Sequence, residues 1–386
     1  MEFRWPQEYL DFRDEVAAFI QQWRTPELLA EYRGGEGAPG PHTRRFWSAL
    51  HERGWMRMCW PREYGGEGRD RLYQYVFIET MSYWNMPYGD LTLTSIAPTI
   101  LACGTEEQKK EYIPGILDGR IRFALGYSEP NAGTDLASLR TRAEPVGDEW
   151  VLQGQKIWTS LAESSTHVWL AARTDPDAPK HRGISLFIVP LDSPGVTIRP
   201  LLTMSGMSTN ETFYDGVRVS DRNRVGPLHG AWPIMMLALN HERVGLASAG
   251  SLGRNVDLLV EHMKEERSER LQDAVVRRQL AQLQVDVHRQ RALATKNACT
   301  IARGGIGAGE ASMAKVYGSE LRARIANVAM DLLGRYGGLS EESGALAPVA
   351  GRLEQQWRIS PMLRFGGGTN EVQRTIIATM HLGMPR

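Results

Sequence analysis

Apolar side chains at Tyr9, Phe12, Val16, Phe19 and Trp23 recur at steps of three and four, which places them on one face of a helix. The chain therefore opens helical. Further helical segments are predicted over residues 46–50, stopped by Gly54, and over 93–101, stopped by Gly104. Thr105 then stands as an N-cap, with Gln108 placed to close a capping box and Glu106 and Glu107 at the positive helix end. From about Arg122 the period changes. Val168, Leu170 and Ala172 alternate, as do Ile184, Leu186 and Ile188, between turns at Gly147-Asp148, Asp175-Pro176 and Ser193-Pro194-Gly195. This β-rich stretch ends near Pro227. Beyond Trp232 helical spacing returns and runs to the C-terminus, broken at residues 304–309 and 366–368. The predicted class is α+β, mainly α: an N-terminal helical domain over 1–121, a middle β-domain over 122–228 and a C-terminal helical bundle over 229–386.

A chain of 386 residues is long enough for several domains and a deep, buried site. No window approaches about 18 uncharged apolar positions, so membrane spans are not expected. Lys plus Arg and Asp plus Glu balance at 45 each, which leaves no global field to draw nucleic acid or anionic lipid. The N-terminal stretch has neither the basic nor the apolar region of an export signal. Cys59, Cys103 and Cys299 are an odd, widely spaced set that suits a reducing cytoplasm and argues against disulfides or zinc clusters.

The helix expected after Pro233 puts Met235, Leu239, Glu242, Leu246, Ala249, Gly253, Val256 and Val260 on one stripe, with Glu242 its single carboxylate. A carboxylate on an apolar face is either paired, for example with Arg243, or has a raised pKa and can act as a base. Both readings stay open on spacing alone. His241-Glu242-Arg243-Val244-Gly245 starts like a zinc-protease motif but has Gly245 in place of the second histidine, so the metal reading fails. The glycine run at 304–309 lacks a preceding strand and reads as an interhelix loop. Hydroxyls in the turn at 127–135 and in the segment 156–160, beside Trp158, suit the edge and face of a flat heterocycle, and generic turn chemistry would explain them equally.

In their order, Gly104-Thr105-Glu106-Glu107-Gln108, the turn 128–135, segment 156–160, Glu242-Arg243, Ser312-Met313-Ala314-Lys315 and residues 368–374 resemble the acyl-CoA dehydrogenase family over essentially the whole chain. The resemblance implies a C-terminal four-helix bundle and FAD as cofactor. It implies that Ser128 hydrogen-bonds the flavin ring, that Trp158 stacks on it, and that Tyr127, Thr134, Ser160, Thr369 and Glu371 line the same site. The reaction it implies is α,β-dehydrogenation of an acyl-CoA thioester, with electron-transfer flavoprotein as acceptor.

Two departures sharpen the expectation. Many members carry the catalytic glutamate immediately before the Gly-Thr pair, where this chain has Gly367. A minority use the helix that here carries Glu242, 125 positions upstream. The resemblance therefore implies Glu242 as base, Gly367 as a backbone donor to the thioester carbonyl, and Arg243 and Gly366 against the substrate. The missing side chains suggest bulky or branched acyl groups, such as steroid side-chain thioesters. The far end of FAD in this family lies on a neighbouring subunit, against a Phe-Gly element and a Gln. This chain has no Phe between Phe213 and Phe365, and Asp331 stands where the Gln belongs. A heterotetramer with a homologous partner is therefore expected, a homotetramer being the alternative. A non-catalytic partner subunit and a flavin oxygenase on the same fold are the other readings. Retention of Ser128, Trp158, Thr369 and Glu242 weighs against the first, and Glu242 against the second.

Overall fold

The computed structural model describes residues 5–32, 39–88, 91–245, 248–305 and 307–385. The N-terminal helices are α1 (Gln7–Trp23), α2 (Pro26–Tyr32), α3 (Pro41–Glu52), α4 (Arg71–Trp84), α5 (Ala97–Cys103) and α6 (Glu106–Leu117). The predicted face of α1 is buried: Phe12, Val16 and Phe19 pack with Phe46 and Leu50 of α3 and with Phe77 and Met81 of α4. Helix α4 escapes the periodicity because its sequence mixes apolar, aromatic and polar positions around the helix, although Asp70 caps it by accepting from the Leu72 N–H at 2.7 Å. The segment predicted over 93–101 begins as a wide turn, Thr92–Ile96, in which the Ala97 N–H reaches back to the Thr92 carbonyl. Pro98, which has no N–H to give, sits directly after that turn. Both bonds of the Thr105–Gln108 capping box form, and the Gln108 amide also donates to the carbonyls of Arg222 and Arg224 at 2.8 and 3.0 Å, tying α6 to the β-domain.

The middle domain holds β1 (Phe123–Gly126), β2 (Arg142–Val146), β3 (Glu149–Lys156), β4 (His167–Arg173), β5 (Ile184–Pro190), β6 (Val196–Leu202), β7 (Ser208–Ser220) and β8 (Arg224–Val225). Their order is β6-β7-β3-β2-β4-β5-β8, with β1 parallel to β4. The alternating residues of β4 and β5 do not face water on their other side. Val168, Leu170 and Ala172 join the core with Tyr214 and Val217, while Trp169 and Ala171 join the core against the helices. A strand buried on both faces is a stiff base for the loops at its ends.

The C-terminal domain contains α7 (Ala231–Gly245), α8 (Ala249–Glu266), α9 (Ala274–Ala302), α10 (Ala308–Leu333), α11 (Arg352–Ile359) and α12 (Asn370–Ile376). The single stripe expected after Pro233 is two helices. Helix α8 restarts with Ser248 as N-cap, and Glu79 of α4 accepts from the Ala249 N–H at 3.2 Å. A carboxylate held against free helix N–H groups stabilises that fresh start. Glu242 thus shares α7 with Met235 and Leu239, while Ala249, Gly253, Val256 and Val260 belong to α8 and Leu246 lies outside the described residues. The glycine run is the loop between α9 and α10, as expected, with Ile306 outside the described residues. A further break at 267–273 has no glycine to announce it, and another at 334–351 carries Gly334, Gly337, Gly338, Gly344, Pro348 and Gly351. Among the described residues no helix is long and apolar enough to cross a membrane.

Candidate active site

The turn after β1 and the turn after β3 are fastened to each other. The Ile157 N–H donates to the Ser128 carbonyl at 2.9 Å, and Lys156 Nζ donates to Glu129 Oε1 at 2.8 Å and to the Tyr127 carbonyl at 3.1 Å. Glu129 also receives the N–H groups of Arg140 and Thr141 at 2.7 and 2.8 Å. Burial pushes Lys156 down to about 8, against the pull of Glu129. Burial alone would raise Glu129, but Lys156 and the two N–H groups more than offset it and hold the carboxyl below its ordinary range. Glu129 and Lys156 thus pin the segment that carries Ser128, a role their place in the motifs did not reveal.

Trp158 follows with a left-handed φ of 61° and a ring that is 59% exposed. Its neighbours are fixed: the Thr159 N–H donates to the Asn210 carbonyl at 2.9 Å, Asn210 Nδ2 donates to the Thr159 carbonyl at 3.0 Å, and Ser160 Oγ lies 3.2 Å from Thr209 Oγ1. Strained backbone beneath an exposed indole is the arrangement of a surface shaped for a flat ligand. Thr134 and Glu371 are exposed. Thr369 caps α12 by accepting from the Val372 N–H at 3.3 Å.

Glu242 lies across from these loops on α7. Its Oε2 is buried without a hydrogen-bond partner, and burial raises the carboxyl to about 7 against the downward pull of Arg243 and then Lys315. The open choice between pairing and isolation is settled: Arg243 does not pair with it. Arg243 Nε donates to the Gly367 carbonyl at 2.8 Å and Nη1 to Asn240 Oδ1 at 2.7 Å. Gln373 Nε2 adds a bond to the Gly367 carbonyl at 3.2 Å, and Lys315 Nζ holds the carbonyls of Arg364 and Gly368 and Asn370 Oδ1 at 2.9, 2.8 and 2.7 Å. Gly367 and Gly368 have φ of 67° and 93°, a region that favours glycine, and the Gly367 N–H has no partner among the described residues. A Cβ added at Gly366 would meet only the Met362 carbonyl, at 3.8 Å. The buried Tyr127 phenol accepts from Trp169 Nε1 at 3.1 Å and is pushed above its ordinary pKa by burial, with the nearby Glu242 charge adding to the shift.

The structure therefore brings Glu242, Arg243, Tyr127 and Gly367 together and mounts Ser128, Trp158 and Ser160 on braced β-domain turns. The lysine of the Ser312–Lys315 motif, invisible as a site residue from spacing, anchors the glycine loop. Burial, and then Arg71, holds His241 down to about 4, and no metal-binding cluster occurs among the described residues. Asp331 is exposed in the last turn of α10. These residues fit FAD in kind: an exposed indole and hydroxyls on braced backbone, and a buried carboxyl oxygen without a hydrogen-bond partner.

Fold and site together define a flavin-dependent oxidoreductase of three domains. Residues 6–120, 124–217 and 230–382 match, in that order, the N-terminal, middle and C-terminal domains of acyl-CoA dehydrogenase, and the chain belongs to the acyl-CoA dehydrogenase family. It is an FAD-dependent enzyme that desaturates acyl-CoA thioesters. It is 40% identical over 390 residues to acyl-CoA dehydrogenase FadE26 of Mycobacterium tuberculosis (strain ATCC 25618 / H37Rv), covering 97% of each chain. The solved Tcur3481-Tcur3483 steroid ACAD is similar at 40% identity with a TM-score of 0.92, covering 100% of both chains. The ChsE4-ChsE5 complex from Mycobacterium tuberculosis is similar at 37% identity with a TM-score of 0.90, again over 100% of both chains.

Proposed function

We propose that Glu242 is the catalytic base and that the substrate is a bulky acyl-CoA of the steroid side-chain kind. The observation that carries the first part is the buried, unpartnered Oε2 of Glu242 beside a loop whose own candidate base position is Gly367. A carboxyl near pKa 7 is divided between its two forms at neutral pH, which suits a group that must take a proton from a weak carbon acid. Glu242 removes the α-proton of the thioester. The free Gly367 N–H donates to the thioester oxygen as charge builds there, a contribution of about 3–4 kcal/mol for one such donor. Arg243 and Gln373 hold the Gly367 carbonyl and so anchor the loop that carries that N–H. Bound FAD supplies the acceptor for the hydride that leaves the β-carbon. Trp158, Ser128, Tyr127, Ser160 and Thr369 hold and orient the ring system, with Thr134 and Glu371 at the exposed rim. Arg243 acts on the substrate through the loop, and Gly366 leaves room beside it.

The bulky-substrate reading is supported by the room at Gly366, where an added Cβ would touch only the Met362 carbonyl at 3.8 Å, and by the similar structure named a steroid ACAD. A heterotetramer is supported by the similar two-protein complexes and by Asp331 in place of the expected Gln. Electron-transfer flavoprotein is the proposed acceptor, and three unpaired cysteines support a cytoplasmic location. The test is rapid-mixing flavin reduction in Glu242→Gln. With FAD still bound, reduction is expected to fall at least ~10²-fold, and near-normal reduction would remove Glu242 from the chemistry.

A further inference from the structure

A cavity of about 780 Å³ opens between the N-terminal helices, the edge of the β-domain and the segment leading into α11, and it shares no residue with the loop around Gly367. Its wall carries Arg24 and Arg352 together with apolar Leu29, Trp47, Leu161 and Met207. Behind them runs a polar network without a carboxylate. Arg352 Nε donates to Asn255 Oδ1 at 3.1 Å, Asn255 Nδ2 to Gln356 Oε1 at 3.4 Å, and Arg322 to the same Gln356 oxygen and to Ser251 Oγ, the latter at 2.6 Å. Arg24 and Arg254 both lie over the Trp84 ring, at 5.6 and 5.7 Å from its centroid. Of these two, Arg254 alone has an acidic partner among the described residues, Glu261 at 3.0 Å.

Among the described residues Arg24, Arg322 and Arg352 form no ion pair, and Arg24 Nε is buried without any hydrogen bond. The acidic side chains elsewhere on the cavity wall do not supply the missing charge. Of the four glutamates on the wall, Glu31 accepts from the N–H groups of His42 and Thr43, Glu354 is held by Arg358 at 2.6 Å, and Glu341 and Glu342 are exposed to water; no carboxylate is among the charges that act on Arg24 or Arg352. Burial, followed by the charges of Arg322, Arg254 and Arg24, lowers Arg352 to about 10, as expected where cations crowd without counter-charge.

We propose that this arginine corner is an oxyanion site, taking the carboxylate or phosphate head of an organic anion whose apolar body lies along Leu29, Trp47, Leu161 and Met207. The planar guanidinium fork matches both head groups, and a cavity of this volume holds a small organic molecule.

Calorimetric titration of the full-length protein, in its FAD-containing complex, with octanoate, with adenosine 3′,5′-bisphosphate and with inorganic phosphate tests the assignment and separates its two sources. Octanoate binding identifies a carboxylate head, bisphosphate binding a phosphate head. Arg24→Met and Arg352→Met are each expected to weaken that binding at least ~10-fold, while Glu242→Gln leaves it unchanged. Arg352→Lys, which keeps the charge without the fork, is expected to weaken it less. In the unaltered protein sulfate is expected to compete with the bound probe, a result that does not depend on any variant folding. Absence of binding by all three probes, binding that the arginine variants leave intact, or failure of sulfate to compete would each overturn the proposal.

Discussion

Arg243 Nε donates to the carbonyl of Gly367 at 2.8 Å, so the residue next to the carboxyl of Glu242 holds the glycine loop and not the carboxylate beside it. One cation therefore has two effects: it fixes the loop by geometry and pulls the Glu242 pKa down by charge. Arg243→Gln removes both. Losing a hydrogen bond from a charged donor is expected to cost about 1.5–3 kcal/mol of loop placement, and the midpoint of the activity–pH curve is expected to move to higher pH. Arg243→Lys retains the charge and is expected to restore the midpoint more than the rate. An unchanged midpoint in Arg243→Gln would show that the charge does not reach Glu242.

Glu242 itself sets a pH dependence of opposite sign for activity and stability. The base must be ionised, so flavin reduction is expected to rise with pH through about 7. The raised carboxyl binds its proton more tightly folded than unfolded. Its stabilising contribution is therefore complete below the ordinary carboxylate range and is lost as pH rises through about 7. Glu242→Gln is expected to flatten both dependences and to raise the melting temperature above neutral pH, by an amount corresponding to at most ~3 kcal/mol. A variant that melts earlier than the parent at high pH would contradict this.

Lys156 is expected to matter for the cofactor without touching it. The buried Lys156–Glu129 pair fastens the turn that carries Ser128, and removing one partner of such a pair costs ~3–5 kcal/mol. Lys156→Met is expected to lower both thermal stability and flavin content, and the double change with Glu129→Gln is expected to recover part of the stability. Full flavin retention in the single variant would mean that the turn is held by its backbone bonds alone.

Much of this architecture is legible in the sequence because it rests on local rules. The α1 face, the Thr105–Gln108 box and the strand β4 each follow from spacing and each forms, although β4 is buried on both faces and not on the alternating one alone. What stayed hidden depends on partners distant in sequence. The break between α7 and α8 has one local sign, Ser248 as N-cap, while its other support, Glu79, lies about 170 residues away where no window around Glu242 reaches. The isolation of Glu242 was ambiguous for the same reason, since it depends on Arg243 finding Gly367, 124 residues away. Lys315 became visible as an anchor only when α10 and the loop before α12 came together.

The glycines before Thr369 are expected to differ in what they tolerate. At Gly366 an added methyl makes only an ordinary contact with the Met362 carbonyl at 3.8 Å, so Gly366→Ala is expected to fold normally and to shift preference from bulky towards straight-chain acyl-CoA, by the ~1–3 kcal/mol that one methylene can discriminate. At Gly368 the φ of 93° and a Cβ 2.7 Å from Gln373 Nε2 add strain and push on a side chain that holds Gly367. Gly368→Ala is expected to lower stability and turnover with every substrate. A panel of acyl-CoAs in which the parent already prefers butyryl-CoA would count against a pocket opened by Gly366.

Assembly gives the last expectation, through the charge of one exposed side chain. Asp331 stands on the surface at the end of α10, where the resemblance calls for a Gln facing the ADP end of a neighbour's FAD, and an anion there repels pyrophosphate. No Phe between Phe213 and Phe365 supplies the second contact. The ring-side residues Ser128, Trp158 and Thr369 are all present, so this chain can complete one half of a shared site and not the other. Alone it is expected to hold FAD poorly. With a homologous partner that carries the missing contacts, binding is expected at the sites where this chain offers the ring side, while the reciprocal sites stay empty. Flavin content per chain is then half of one. Asp331→Gln in the isolated chain is expected to improve FAD retention, because it removes the repulsion without adding the absent Phe. The measurement is flavin absorbance per protomer together with native mass, for the chain alone and with its partner. A homotetramer of this chain alone that carries one FAD per protomer and turns over normally would show that the backbone before α11 serves the pyrophosphate without those side chains.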